Sequence, residues 1–280
     1  MSAKPAAPIK DLSRLCPHTI TTKPWPIEVA VQKYAAAGIR AMTVWREALA
    51  DRNVLQVAEM LRAYGISVVS LCYGGFFASA SAEERQRAIR DTLNAVDQAA
   101  ALGASLLVLV CGADPRQSLD KSRLQFKTGI ETVLEHAEVK NIKLAIEPLH
   151  PMYADTQSAV NTLKQANDMV EIIGSSNLGV VVDAYHLWWD PELEEQIHRA
   201  AELEALAAFH ISDWKTPTSD LHYDRGLPGE GCIPLRTIRN WMEQAGFSGY
   251  HEIEILSNRW WQTDMDEFLK KIIDAYYSAC

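Results

Sequence analysis

Leu144-Ala145-Ile146-Glu147-Pro148 decides how this chain is read. A short apolar run ends on a carboxylate, and the proline that follows cannot donate to a sheet's hydrogen-bond ladder. Three later runs close in the same way: Leu178-Gly-Val-Val-Val-Asp183, Leu206-Ala-Ala-Phe-His210 and Tyr250-His-Glu-Ile-Glu254. The closing residues are 36, 27 and 44 positions apart, spacings that match one strand with its crossover helix. Four successive parallel strands whose ends converge require a closed (β/α)8 barrel, in which the C-terminal strand ends ring the active-site face. Three carboxylates and an imidazole suit a divalent ion of the Mn²⁺, Mg²⁺, Co²⁺ or Zn²⁺ type. Glu147, Asp183, His210 and Glu254 are therefore the expected ligands of one ion, Mn²⁺ being the leading candidate. Any one of them alone would read as a solvated strand end, but their recurrence in consecutive units favours the metal.

Working outward, the chain supplies the alternation that a barrel needs. Strands are expected over residues 12–20, 39–45, 66–72 and 105–111, with helices over 26–37, 53–64, 81–102 and 118–139. Pro26 suits a first helical position, and Val54, Val57, Ala58 and Leu61 share one helix face. Ser81-Ala-Glu-Glu is an N-cap followed by acidic residues. The strand over 105–111 is almost wholly apolar, as in a parallel sheet buried on both faces. Strands over 142–147, 178–183, 206–211 and 250–256 alternate with helices over 156–173, 191–203, 234–245 and 264–277. The result is an α/β chain organised as a single (β/α)8 TIM barrel over residues 11–280. Residues 1–10, which include Pro5 and Pro8, are expected to form a loose N-terminal arm.

Composition narrows the class further. The 280 residues lie within the range of one barrel, and 48% hydrophobic with 22% charged residues is ordinary for a soluble protein. A net charge of −9 without a basic block argues against nucleic acid as a partner. Five widely spaced cysteines without a CxxC pair suit a reducing compartment. No apolar leader or run of membrane-spanning length occurs, so a cytoplasmic protein without membrane partners is expected.

Several further residues are candidates for the site. His186 stands three positions after Asp183, where it can face the same cavity, and Trp188 in the following loop is expected in the pocket wall. The stretch Arg225-Gly-Leu-Pro-Gly-Glu-Gly-Cys-Ile-Pro234 is shaped for tight turns and close approach. It lacks the Lys-Ser/Thr of a phosphate loop, and Arg225 is read as a donor to substrate oxygens. Glu252 and Glu254 point to one side of their strand; Glu254 lies nearer the mouth and Glu252 deeper, beside a buried cation or a group that supports the site. His251 should face the other way and be structural. Trp260-Trp261 suits either a pocket wall or a homo-oligomer patch.

Residues 12–277 resemble the xylose isomerase-like barrel superfamily, in particular its sugar phosphate isomerase/epimerase group, to which ketose 3-epimerases and inosose dehydratases are related. The resemblance rests on Ile146-Glu-Pro-Leu149, Asp183-Ala-Tyr-His186, His210-Ile-Ser-Asp213, the loop 225–234, and Gly246-Phe-Ser-Gly249 leading to Glu254. It implies that the two metal-bound glutamates, Glu147 and Glu254, are also the acid/base pair, and that His186 and Arg225 contact substrate. The epimerases carry another glutamate six residues after the first ligand; here that position is Tyr153, which is counted among the substrate-binding residues. The residues after Glu-Pro-Leu, His150-Pro151, also differ from the epimerase pair. The implied activity is metal-dependent proton abstraction α to a carbonyl of a sugar or polyol through an enediolate, giving an isomerase or epimerase. A sugar or inosose dehydratase is the alternative. More distant are an apurinic-site endonuclease-like phosphodiesterase, for which the chain lacks the extra histidines, and a non-catalytic sugar-binding barrel.

Overall fold

Every residue of β4, Leu106–Val110, is buried, because one face of the strand meets the barrel interior and the other meets helices. In the computed structural model, which describes residues 5–280, Leu107 and Leu109 join the apolar layer under the helices with Phe126, Ile130 and Val133. Leu106 and Val108 point inward and pack with Cys72, Ala145, Val181 and Ala208.

The first half of the chain runs β1 (Leu15–Pro17), α1 (Ile27–Ala36), β2 (Ala41–Trp45), α2 (Val54–Ala63), β3 (Ser67–Gly75), α3 (Ala82–Leu102), β4 and α4 (Leu119–Val139). The second half runs β5 (Lys143–Ile146), α5 (Leu163–Ile173), β6 (Leu178–Asp183), α6 (Ala184–Leu187), α7 (Leu193–Glu202) and β7 (Leu206–Ile211). It finishes with β8 (Asp213–Trp214), β9 (Arg225–Gly226), α8 (Leu235–Gln244), β10 (His251–Ile253) and α9 (Met265–Ala279). Eight strands form a parallel sheet in the order β1-β10-β7-β6-β5-β4-β3-β2. His18 bridges Thr43, and the Thr19 amide donates to the Thr43 carbonyl at 2.9 Å, which brings β1 beside β2 and completes the ring. Strands β8 and β9 form a separate antiparallel ribbon.

Local chemistry sets the helix ends. The side chains of Asn53, Ser81, Ser118, Thr162 and Asp264 each accept an amide hydrogen from the first turn of the helix they precede. Gly103 and Gly174 end α3 and α5 with φ of +77° and +70°, a conformation that costs glycine little.

Differences from the sequence-based expectation have local causes. The first strand is only three residues long. Helix α5 starts at Leu163 rather than near 156, because Pro151–Tyr153 forms a 3₁₀ turn and the Asn161 amide group holds the Leu149 and Ser158 carbonyls at 2.9 and 3.0 Å. Within the expected N-terminal arm, Ala6 and Ala7 are tied to α8. The Ala6 amide donates to the Arg236 carbonyl at 2.9 Å, Arg236 donates back to the Ala6 carbonyl at 2.7 Å, and Arg239 donates to the Ala7 carbonyl; residues 1–4 of that arm lie outside the described residues. No described helix is long and apolar enough to cross a membrane.

Strand alternation then sorts the interior. From β3 to β7 the inward residues are mostly apolar. Around β1, β2, β10 and the first part of β3 they are polar: Thr43, Ser70 and His18 surround Glu252 at 2.5, 2.8 and 3.3 Å from its Oε2. Glu252 thus lies beneath Glu254 in a nest of donors.

Candidate active site

The four residues expected as metal ligands meet at the C-terminal mouth of the barrel. Glu147 follows β5; its amide donates to the Leu109 carbonyl at 3.0 Å before Pro148 ends the ladder. Asp183 is the last residue of β6, and its Oδ1 accepts the Tyr185 amide at 2.7 Å, starting the single turn of α6. His210 stands opposite Asp183 on one side and Glu252 on the other. The Glu254 amide donates to the Ile211 carbonyl at 3.0 Å.

Glu147, Asp183, His210 and Glu254 each offer a ligand atom, and these atoms all lie within 4.8 Å of one another. Asp183 Oδ2 and His210 Nε2 are buried without a hydrogen-bond partner, although buried polar atoms are nearly always paired. Three carboxylates and an imidazole also match the donor preference of a divalent ion. The residues present therefore fit such an ion.

The electrostatics are those of a concentrated negative field. Burial pushes the Asp183 carboxyl up to about 7, opposed by the Arg225 guanidinium. Burial alone would lower the His210 imidazole, but Glu252, Glu147 and Glu254 together push it up to about 10. Its Nδ1 lies 2.9 Å from Glu147 Oε1. Burial opposes ionisation of Glu254 too, yet Arg225 and His18 hold that carboxylate well below its ordinary range.

Arg225 reaches the site from β9. Its Nη1 donates to Glu254 Oε2 at 2.6 Å and lies 3.5 Å from Asp183 Oδ2, and its guanidinium stacks 4.3 Å from the centre of the Tyr185 ring. His186 returns to the cavity on the first turn after Asp183. Its Nδ1 accepts the His150 amide at 3.2 Å, and its Nε2 lies 3.1 Å from Arg225 Nη2 and 3.5 Å from Asp183 Oδ2. Burial, followed by the nearby Arg225 charge, holds His186 well below its ordinary value, which favours the neutral imidazole. Tyr153 packs edge-on to His186 at 5.6 Å. Glu147, Tyr153, His186, Arg225, Glu254 and Trp261 line one cavity of about 300 Å³ together with Tyr73, Phe76, His222 and Tyr223.

Trp188 is not in that wall. Two helical residues beyond His186 turn a side chain by about 200°, and Trp188 instead packs against Trp214 with ring centres 5.8 Å apart. Of the tryptophan pair, Trp261 lines the cavity while Trp260 stacks on Phe268 at 4.8 Å. His251 faces outward and meets the Tyr276 hydroxyl at 2.9 Å.

Sequence reasoning missed His18. Its Nδ1 lies 3.1 Å from Glu254 Oε1 and 3.1 Å from the Trp45 indole nitrogen, while its Nε2 meets Glu252. Leu15-Cys16-Pro17-His18 follows the rule of an apolar run closing on a ligand-type residue, but the run is too short to stand out.

A family model described as xylose isomerase-like TIM barrel matches residues 31–272. The chain is 26% identical to the inosose isomerase of Bacillus velezensis over 83% of this chain and 82% of that protein. The crystal structure of a protein from Sinorhizobium meliloti 1021 superposes with a TM-score of 0.93 at 40% identity, covering 96% of this chain and 99% of that one. A crystal structure of an IolI protein with bound zinc superposes with a TM-score of 0.82 at 20% identity, covering 94% and 96% of the two chains.

Proposed function

Because the chain belongs to the xylose isomerase-like TIM-barrel family, we propose that it is a divalent-metal-dependent isomerase or epimerase that removes a proton α to a carbonyl of a sugar or inosose. One observation carries this reading: Glu147, Asp183, His210 and Glu254 converge within 4.8 Å while the buried Asp183 Oδ2 has no hydrogen-bond partner. The inosose isomerase relative supports a polyol ketone as substrate, and the zinc of the IolI protein supports a divalent ion.

A carbon acid beside a carbonyl is too weak to lose its proton to a carboxylate unless the developing charge is stabilised. An ion held by Glu147, Asp183, His210 and Glu254 would supply that stabilisation to the substrate's carbonyl and neighbouring hydroxyl oxygens. Glu147 and Glu254 form the acid/base pair: the partner that is ionised takes the α-proton to give the enediolate, the partner that enters as the carboxylic acid returns a proton, and exchange with solvent resets the two. Return to the opposite face of the same carbon inverts it, whereas return to the neighbouring carbon, with the α-hydroxyl proton passing to the former carbonyl oxygen, moves the carbonyl. Arg225 keeps Glu254 ionised and presents its remaining N–H groups to substrate oxygens. His186 contacts a hydroxyl as a neutral imidazole, and Tyr153 with Trp261 screens the enediolate from water.

The test is incubation with Mn²⁺ and a panel of ketoses, aldoses and inososes in D₂O, followed by chelation and proton NMR. Loss of one C–H signal is expected, and its position separates isomerase from epimerase. A dehydrated product would identify the dehydratase instead, and no exchange in metal-loaded protein would overturn the reading.

A further inference from the structure

A second cavity of about 400 Å³ adjoins the first, lined by Trp25, Pro24, Pro26, Ala48 and Arg52. The two share Ile20, Lys23, Trp45 and Glu47, so the partition between them is a set of side chains that border both. Trp45 is held in place from below, its indole nitrogen donating to His18 Nδ1 at 3.1 Å and its ring packing on Tyr73 at 5.2 Å. Each cavity alone falls in the range of small-molecule sites, about 300–1,000 Å³.

The chemistry of this second space is specific. Two indoles and two prolines offer apolar surface for the C–H face of a sugar ring. Lys23 and Glu47 offer a donor and an acceptor at the junction, and neither takes part in an ion pair among the described residues. Arg52 is already engaged by Glu28 at 2.7 and 3.2 Å. The net charge of the lining is then close to zero: Arg52 is paired with Glu28, and Lys23, whose Nζ lies 4.9 Å from the centre of the Trp261 ring, and Glu47 carry opposite charges without pairing among the described residues. A phosphate would meet one available cation beside a carboxylate, which is a poor anion site, whereas an uncharged polyol can use both groups.

We infer that the substrate is a glycoside, whose keto ring occupies the Glu147/Glu254 cavity while a second, uncharged sugar ring extends past Lys23 and Glu47 to lie between Trp25 and Trp45. The identity of the reacting ring rests on the proposed isomerase or epimerase function; the second ring rests on the adjoining cavity alone.

Isothermal titration of Zn²⁺-loaded protein with D-fructose and with three glucosyl-fructoses of different linkage, turanose, leucrose and isomaltulose, tests this without requiring turnover. At least one disaccharide should bind tenfold or more tighter than D-fructose. Trp25→Ala should abolish that difference and leave the D-fructose Kd within twofold. Ala48→Phe, which fills the second cavity from a partly exposed position, should do the same and replaces Trp25→Ala if that variant fails to fold. Equal or weaker binding of all three disaccharides, or parallel loss of both sugar types in the variants, overturns the inference. The affinity difference without deuterium exchange in any sugar would overturn the reaction and support the second subsite.

Discussion

Replacing Glu254 with Gln keeps the shape of the side chain and removes its charge, which separates its chemical part from its structural one. A positioned general acid or base contributes about 10²–10⁴ in rate, or about 3–5 kcal/mol of barrel-mouth chemistry at 1.36 kcal/mol per tenfold. The fold loses less. Gln retains an acceptor for Arg225 Nη1, now 2.6 Å from Glu254 Oε2, and Arg225 keeps Asp183 at 3.5 Å as a counter-charge. Loss of the charge assistance costs about 1.5–3 kcal/mol, a fall in Tm of roughly 3–5 °C at this chain length. Glu252→Gln should show the opposite balance. Its Oε2 is the common acceptor for Thr43, Ser70 and His18, it is buried beside His210 at 3.6 Å, and stripping one partner from a buried charged cluster costs about 3–5 kcal/mol. The assay is deuterium exchange at 20 °C, paired with circular-dichroism melts of both variants. Exchange should fall at least a hundredfold in Glu254→Gln and within tenfold in Glu252→Gln, whose Tm should fall further. Normal exchange in Glu254→Gln with a folded but inactive Glu252→Gln would refute the assignment of the acid/base pair.

Three further outcomes are expected. Arg225→Lys loses the planar fork that meets Glu254 and His186 and the stacking on Tyr185, so kcat/KM should fall at least tenfold, about 1.4 kcal/mol, with metal content by mass spectrometry unchanged. A metal ion at about 100 times its Kd stabilises the folded chain by about 2.7 kcal/mol, so chelation should lower Tm by roughly 5 °C; no shift, or the same shift in Asp183→Ala, would argue against the ligand set. On the opposite side of the strand layer, burial pushes His251 down to about 3. An unfolded histidine titrates near 6.5, so the unfolded chain takes up the proton first as pH falls. This residue's stability contribution is therefore full above about 6.5 and declines as pH falls towards about 3, and His251→Phe should flatten the acid side of a Tm-versus-pH curve.

The convergence of Glu147, Asp183, His210 and Glu254 was legible because two sequence rules act on these residues together. Strand parity sends alternate residues inward, and the last inward residue of an apolar run is at the mouth. Glu147, Asp183, His210 and Glu254 obey both. His18 obeys them too, but β1 is three residues long and its run includes a cysteine and a proline, so the strand carries almost no periodic signal. Trp188 failed for a different reason. Proximity in sequence to a strand end does not fix direction once the chain enters a helix, and the single turn of α6 that returns His186 to the cavity carries Trp188 past it. Tyr153 was named through the resemblance, at the position where the epimerases carry a further glutamate, and what holds it there is the 3₁₀ turn that replaces the first part of the expected helix. The second cavity left no mark in the sequence at all, since Trp25 and Arg52 come from two separate loops and Trp45 from the end of β2, and they line one cavity only when β1 and β2 are side by side.

The loop from Arg225 to Pro234 shows what composition could and could not convey. Its glycines and prolines indicate a close approach, and the structure supplies the object approached: the chain's own Asp213. Oδ1 of Asp213 accepts the Trp214 and Ile233 amides at 2.9 and 3.0 Å, and Oδ2 accepts the Gly229 amide at 2.9 Å. A side chain at Gly231 would collide with the Trp214 carbonyl and Asp213, so glycine there follows from the wrapping of backbone around a carboxylate. This resembles a phosphate cradle in its physics, with amides converging on an anion, but the anion is internal and the result is mechanical. Asp213 also pairs with Gly226 in the β8–β9 ribbon, and Arg225 is the neighbouring residue of that ribbon. The carboxylate at the centre of the loop, three residues beyond His210 in sequence, thereby fixes the strand from which the guanidinium is aimed at Glu254.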